Sequence, residues 1–201
     1  MEEKLPAWAS QENTNRVFDL IAQGENSKVE FKESIPQQAD KITKETVAFA
    51  NSGGGEVLLG INAQGFAVKP QNEITTQDRE NIVDRIMGLV GNLNPMPKVK
   101  CHQCSVDNHF VLLITVSEQQ TEAAYYFQNT IYIRDHSISR PANPEEVKTL
   151  FLKWSKTKLM DEELLRAKRF DNEIDNLRLE SLRNIINANN IARTSHAARV
   201  Y

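Results

Sequence analysis

Val47-Ala48-Phe49-Ala50-Asn51-Ser52-Gly53-Gly54-Gly55-Glu56-Val57-Leu58-Leu59-Gly60-Ile61 packs a helix end, a three-glycine break and a buried strand into one short stretch. Upstream of it, Ile42, Thr46, Val47, Phe49 and Ala50 recur at helical spacing, and Pro36 suits the first turn of that helix. The glycines stop the helix, and 56–61 is a nearly unbroken apolar run, as in a strand covered on both faces. A phosphate loop has the opposite order, strand then helix, so that a helix N-terminus meets the phosphate. The glycines are therefore read as a helix stop with close backbone packing, Asn51 as a cap, and ATP is not expected.

Outward from this stretch the pattern alternates. Val17, Phe18, Leu20 and Ile21 predict a helix over 12–23, which Gly24 ends, and 29–32 alternates as a half-buried strand. Asn62-Ala63-Gln64-Gly65 predicts a turn into a short strand at 66–68. A helix over 76–90 follows, capped by Thr75 or Thr76, then an irregular link at Pro95 and Pro97. Strands at 98–105 and 109–116 turn at Asp107-Asn108. Tyr125-Tyr126-Phe127 and 130–134 predict a further strand pair turning at Gln128-Asn129. Asn143-Pro144-Glu145-Glu146 opens a helix through Val147, Leu150, Phe151 and Trp154: cap, proline, first-turn acids. The stretch 155–189 lacks glycine and proline and reads as a long helix whose leucines are too irregular for a heptad. Residues 1–10 read as a loose lead-in from which Trp8 can dock, and 191–201 as a disordered tail. The fold class is α+β: mixed sheets with packed helices, plus a long C-terminal helix.

Composition narrows the function. With 24 Lys+Arg against 27 Asp+Glu the net charge is −3, so nucleic-acid binding would need a local patch or a metal. The longest apolar runs, such as 110–116, fall far short of the roughly 20 residues that span a bilayer. Met1-Glu2-Glu3-Lys4 lacks the start of a signal peptide, and a reduced, cytoplasmic protein is expected. Cys101 and Cys104 form a lone Cys-x-x-Cys with only His102 and His109 nearby. Strand alternation sends the two thiols to opposite faces, so they read as structural and not as a zinc site.

The segment Gly24-Glu25-Asn26-Ser27-Lys28-Val29-Glu30-Phe31-Lys32 carries paired acids and lysines. Lys28, Glu30 and Lys32 share one face of the strand, and Glu25 can converge on them if the loop folds back. Paired carboxylates can hold Mg²⁺ or Mn²⁺, with lysines meeting phosphate. The alternative is that each acid pairs with a neighbouring lysine on a solvated face. Farther on, Arg134, His136 and Arg140 cluster near a loop and are candidates for phosphate contacts, whereas Tyr125, Tyr126 and Phe127 read as core filler.

The Gly-Glu opening with Val29-Glu30-Phe31-Lys32, the Ala48-Phe49-Ala50-Asn51 helix end with its glycines and strand, and Tyr132-Ile133-Arg134 followed by 137–142 and the Asn-Pro-Glu-Glu helix occur in one order. Together they resemble the Schlafen AlbA-like (divergent AAA-type) family over 24–154, between an N-terminal segment 1–23 and a C-terminal helix 155–190. The resemblance implies a nucleic-acid-binding domain, acting on DNA or RNA as a transcriptional regulator or defence-associated module. Some members resemble metal-dependent endoribonucleases with two glutamates and an aspartate. By position the glutamates match Glu25 and Glu30, which would be both catalytic and metal-ligating. The aspartate position falls at Ala63, beside Asn62. Alanine cannot ligate a metal, so binding through Lys28, Lys32, Arg134, His136 and Arg140 without catalysis is the leading expectation. The alternatives are the ribonuclease, and a protein-interaction subunit or homo-oligomer assembling through 155–190.

Overall fold

The computed structural model describes residues 5–34, 40–118 and 124–197. The chain divides into two units, Met1–Leu152 and Lys153–Tyr201. In the first unit the elements run α1 (Gln11–Gln23), β1 (Val29–Lys32), α2 (Asp40–Asn51), β2 (Gly55–Leu59), a short 3₁₀ turn, α3 (Thr76–Gly91), β3 (Val99–Val106), β4 (His109–Val116), β5 (Tyr132–Asp135), β6 (Ile138–Pro141) and the start of α4 (Pro144–Ala197). The α+β class with mixed sheets and a long C-terminal helix is what the structure has.

The main sheet has the order β1-β2-β4-β3. β1 and β2 are parallel, Glu30 opposite Val57, and β4 runs antiparallel to both β2 and β3. Period-2 alternation sends successive side chains to opposite faces, and each face has its own core. On one face Val57, Leu59, Leu112 and Ile114 pack with Val47 and Phe49 of α2 and Ile86 of α3. On the other, Val29, Leu58, Val111 and Leu113 pack with Val17 and Leu20 of α1. The central strands are thus covered on both sides, which is why β2 and β4 read as continuous apolar runs. Trp8 does dock, its ring 5.8 Å from Phe110 and under the Arg79 guanidinium at 4.6 Å.

Local chemistry fixes the element ends. Ser10 caps α1, and Thr75, not Thr76, caps α3 in a reciprocal box with Asp78. α2 is described from Asp40; the predicted start at Pro36 lies outside the described residues. It stops where Gly54, at φ +77°, donates its N–H to the Phe49 carbonyl at 2.8 Å. At Gly55 a Cβ would lie 2.1 Å from the Phe49 ring, so the glycine is required by packing, as the sequence implies.

Two expected strands are corrected. Residues 66–68 make only an isolated bridge, Ile61 to Ala67. The pair at 125–127 and 130–134 closes its turn between Phe127 and Thr130 but extends no further. Instead β5 pairs with β6, Arg134 opposite Ser139. The tight turn between them places His136 at φ +52°. β6 escapes the sequence because Ile138-Ser139-Arg140-Pro141 alternates weakly and ends in proline, which belongs only on an edge.

In the second unit the helix assignment continues to Ala197, through part of the span expected as a tail, in a segment without glycine or proline. Residues 198–201 of that expected tail lie outside the described residues. Leu177, Leu179 and Leu182 are exposed. Among the described residues no helix is long and apolar enough to cross a membrane.

Candidate functional site

The loop before β1 does fold back. Asn26 donates its backbone N–H to the Val29 carbonyl at 3.0 Å, and its side-chain oxygen accepts from Lys28 N at 2.8 Å. This brings the Glu25 carboxylate onto the Phe31 amide, which donates to it at 3.0 Å. Glu30 points from β1 toward α2 and is 6% exposed. One of its oxygens takes the Lys32 ammonium; the other takes Arg134 Nη2 at 2.9 Å.

Arg134 is the centre of the site, its side chain fully buried. Beyond Glu30 it donates to Glu45 Oε2 at 2.6 Å, Ser139 Oγ at 3.1 Å and the Asn26 carbonyl at 3.0 Å. Its guanidinium lies 4.5 Å over the Phe49 ring. Ser139 also donates to the same Glu45 oxygen. A buried charge needs both pairing and hydrogen bonds, and Arg134 binds β1, α2, β5 and β6 through them. Only its Nε, also buried, has no partner.

Lys28 lies apart from this network. Its ammonium donates to the carbonyls of Ser52, Gly53 and Gly54 at 2.7, 2.8 and 3.1 Å, satisfying oxygens left free where α2 ends. Asn51 and Ser52 are joints that the sequence does not announce. Buried Asn51 donates to the carbonyls of Tyr125 at 2.8 Å and Tyr132 at 2.9 Å, and accepts from Tyr125 N at 3.0 Å. It is thus a clamp between segments and not the simple cap expected. It also explains the missing strand at 125–127, because its amide takes the Tyr125 backbone groups a strand partner would need. Ser52 Oγ accepts from Arg134 N at 2.8 Å.

Arg140 sits at the other end of β6. It donates to Asp135 Oδ2 at 2.7 Å and grips both oxygens of Glu146, at 2.9 and 2.7 Å. Glu146 also closes the α4 cap with Asn143, 2.8 Å in one direction and 2.9 Å in the other. The Arg140 bond, then the Asn143 amide, pulls the Glu146 carboxyl down to about 2. Arg140 and, next, His136 likewise hold Asp135 below its ordinary range. Because both folded values are depressed, their contribution to stability is complete above the ordinary carboxylate range and disappears as pH falls toward 2. Arg140→Gln should therefore lower the thermal midpoint at neutral pH, and the gap from the parent should close steadily on acidification. A gap unchanged near pH 3 would show that the pairing adds nothing. His136 is almost wholly exposed, and among the described residues its ring meets Asp135.

The structure thus brings Glu30, Lys32 and Arg134 together with Glu45, which the sequence does not single out. It holds Glu25 on the neighbouring backbone and leaves Lys28, His136 and Arg140 in separate contacts. Ala63 is exposed. The Asn62 side-chain oxygen accepts from the amides of Gln64 at 3.1 Å and Phe66 at 2.9 Å, as turn asparagines do. Glu56 pairs with Arg16 of α1 at 2.7 Å, on the opposite face of the sheet. A divalent cation does not fit this donor set: both Glu30 oxygens hold internal cations, Glu25 serves a backbone amide, and the third acid is missing. Among the described residues no group of three or more His, Cys, Asp or Glu is placed to hold a metal. The cysteines diverge as expected, Cys101 against one core and Cys104 within the other, and burial pushes each thiol up to about 11.

This architecture defines an α+β domain whose β1 acid is neutralised from within by a β5 arginine. Residues 25–143 match the family model described as Schlafen, AlbA_2, and the chain belongs to that family. No curated protein matches it. The solved structure of the DIP2311 protein from Corynebacterium diphtheriae is similar at 19% identity and a TM-score of 0.45, covering 66% of this chain. This chain spans 27% of that protein's chain.

Proposed function

We propose that this protein binds nucleic acid without cutting it, as a regulatory or defence-associated module. The family to which it belongs supports a nucleic-acid-related role. The observation that carries the non-catalytic half is Glu30, whose oxygens are held by Lys32 and Arg134 and not left open toward a metal. In this reading His136 is the outward contact of the sequence-derived set, and Lys32 is held on Glu30. Lys28, Arg134 and Arg140 hold the surface in shape through the bonds described above.

The test is a cleavage and binding assay on the full chain. Transfer RNA with Mn²⁺ should remain intact with the parent and with Glu25→Ala/Glu30→Ala alike, while labelled RNA or DNA is retained at about 50 mM salt, where phosphate contacts are strongest. Cleavage by the parent that the double variant loses would replace this reading with the metal-dependent ribonuclease. Failure to retain either nucleic acid would remove it altogether.

A further inference from the structure

At the carboxyl ends of the two parallel strands, beyond Lys32 of β1 and Leu59 of β2, the surface opens into a groove of about 240 Å³. In open α/β sheets such ends are where ligands settle, because the chain diverges there into loops. Half-buried Ile82 gives the groove an accessible apolar side chain, over a floor closed by the buried Leu59 and Phe110. Gly60, at φ +106°, lets the chain pass close to β4, where a Cβ would lie 2.7 Å from the Phe110 carbonyl. Two cations stand in it, Lys69 from the loop after β2 and Arg85 from α3, both exposed. Unlike Lys28, Lys32, Arg134 and Arg140, neither makes a side-chain hydrogen bond or ion pair among the described residues. Glu33 lines the same groove and is its opposing charge.

We infer that this groove binds one nucleotide unit of a single-stranded nucleic acid, its phosphate on Lys69 and Arg85 and its sugar and base over Ile82. Two unpaired cations beside an apolar floor match a phosphate attached to a flat, partly apolar group. The groove is smaller than the roughly 300–1,000 Å³ of pockets for drug-sized ligands, so a single unit fits better than a dinucleotide. A duplex holds its bases stacked and cannot insert one; a single strand can. The inference rests on the nucleic-acid reading above and adds contact side chains to those it names.

The test is fluorescence anisotropy with the full chain and a labelled 12-nucleotide single-stranded RNA, with the same sequence as DNA and as duplex, between about 50 and 200 mM salt. The double variant Lys69→Gln/Arg85→Gln changes only exposed side chains. It should bind single strands at least roughly tenfold more weakly, and its log–log salt dependence should be shallower by about 0.7, the share of the one phosphate that the two cations hold. Glu33→Gln should bind more tightly, since it removes a like charge facing the phosphate. If the parent binds and all three proteins share one affinity and one salt slope, the groove is not the site, and the broader reading stands. Preference for duplex, with unchanged binding by the double variant, would also overturn it. A parent that binds none of the probes would overturn both.

Discussion

Arg134→Met lowers the free energy of unfolding by about 3–5 kcal/mol, the cost of breaking a buried ion pair from one side. Methionine fills much of the same space over Phe49, so lost packing is a minor part of the change. The larger part is electrostatic: the Glu30 and Glu45 side chains remain largely buried, 8% and 14% exposed, without the guanidinium that lies between them. Lys32 still serves one oxygen of Glu30, but Glu45 keeps only the Ser139 hydroxyl. Arg134→Lys should fall in between, since an ammonium keeps the charge but cannot fork toward two carboxylates and a carbonyl. Adding Glu30→Gln and Glu45→Gln to Arg134→Met should recover part of the loss, because the stranded charges are then gone. Urea unfolding of the four proteins measures all of this. A loss below about 1 kcal/mol for Arg134→Met would mean that water reaches the site and that its charges are screened.

The same residue marks the limit of what the sequence tells. Period-2 alternation places Tyr132 and Arg134 on one face of β5, but it does not say whether that face meets solvent or another element. Here it meets α2 and β1, through Glu45 and Glu30, 89 and 104 residues away in the chain. Lys28 is similar: a lysine beside paired acids suggests phosphate, yet three backbone carbonyls claim it. Elements whose periodicity and punctuation are local, such as the Thr75 cap, the Gly53-Gly54-Gly55 stop and the paired strands β3 and β4, were legible. The fold-back of the Glu25 loop onto β1 was legible too. The pairing of Glu30 with Arg134 was not, because the two are 104 residues apart, and Glu45, which shares the guanidinium, lies on a helix face that reads only as amphipathic. Lys69 and Arg85 carry no motif at all; their interest comes from the loop and helix that place them over one groove.

Asn51→Leu should cost at least about 3 kcal/mol and should loosen the site from a distance. Leucine is close in size, so no cavity of consequence forms. What it cannot do is bond. The N–H of Tyr125 and the carbonyls of Tyr125 and Tyr132 lose their partner together, and an unsatisfied buried polar group costs roughly 1–3 kcal/mol. Asn51→Asp is no rescue: it can still accept from the Tyr125 amide but directs a carboxylate at two carbonyl oxygens. The Tyr125 amide should exchange with deuterium far faster in Asn51→Leu, while amides of the β3–β4 ladder change less. Unchanged exchange at Tyr125, with a loss under about 1 kcal/mol, would show that water or a backbone shift replaces the clamp. The clamp also governs the charge network, because Ser52, the next residue, holds the Arg134 backbone amide. Once Asn51 releases the chain around Tyr132, Arg134 loses the position from which it reaches Glu30 and Glu45. Asn51→Leu and Arg134→Met combined should therefore cost less than the sum of the two, by more than the roughly 0.3–0.5 kcal/mol within which independent sites add.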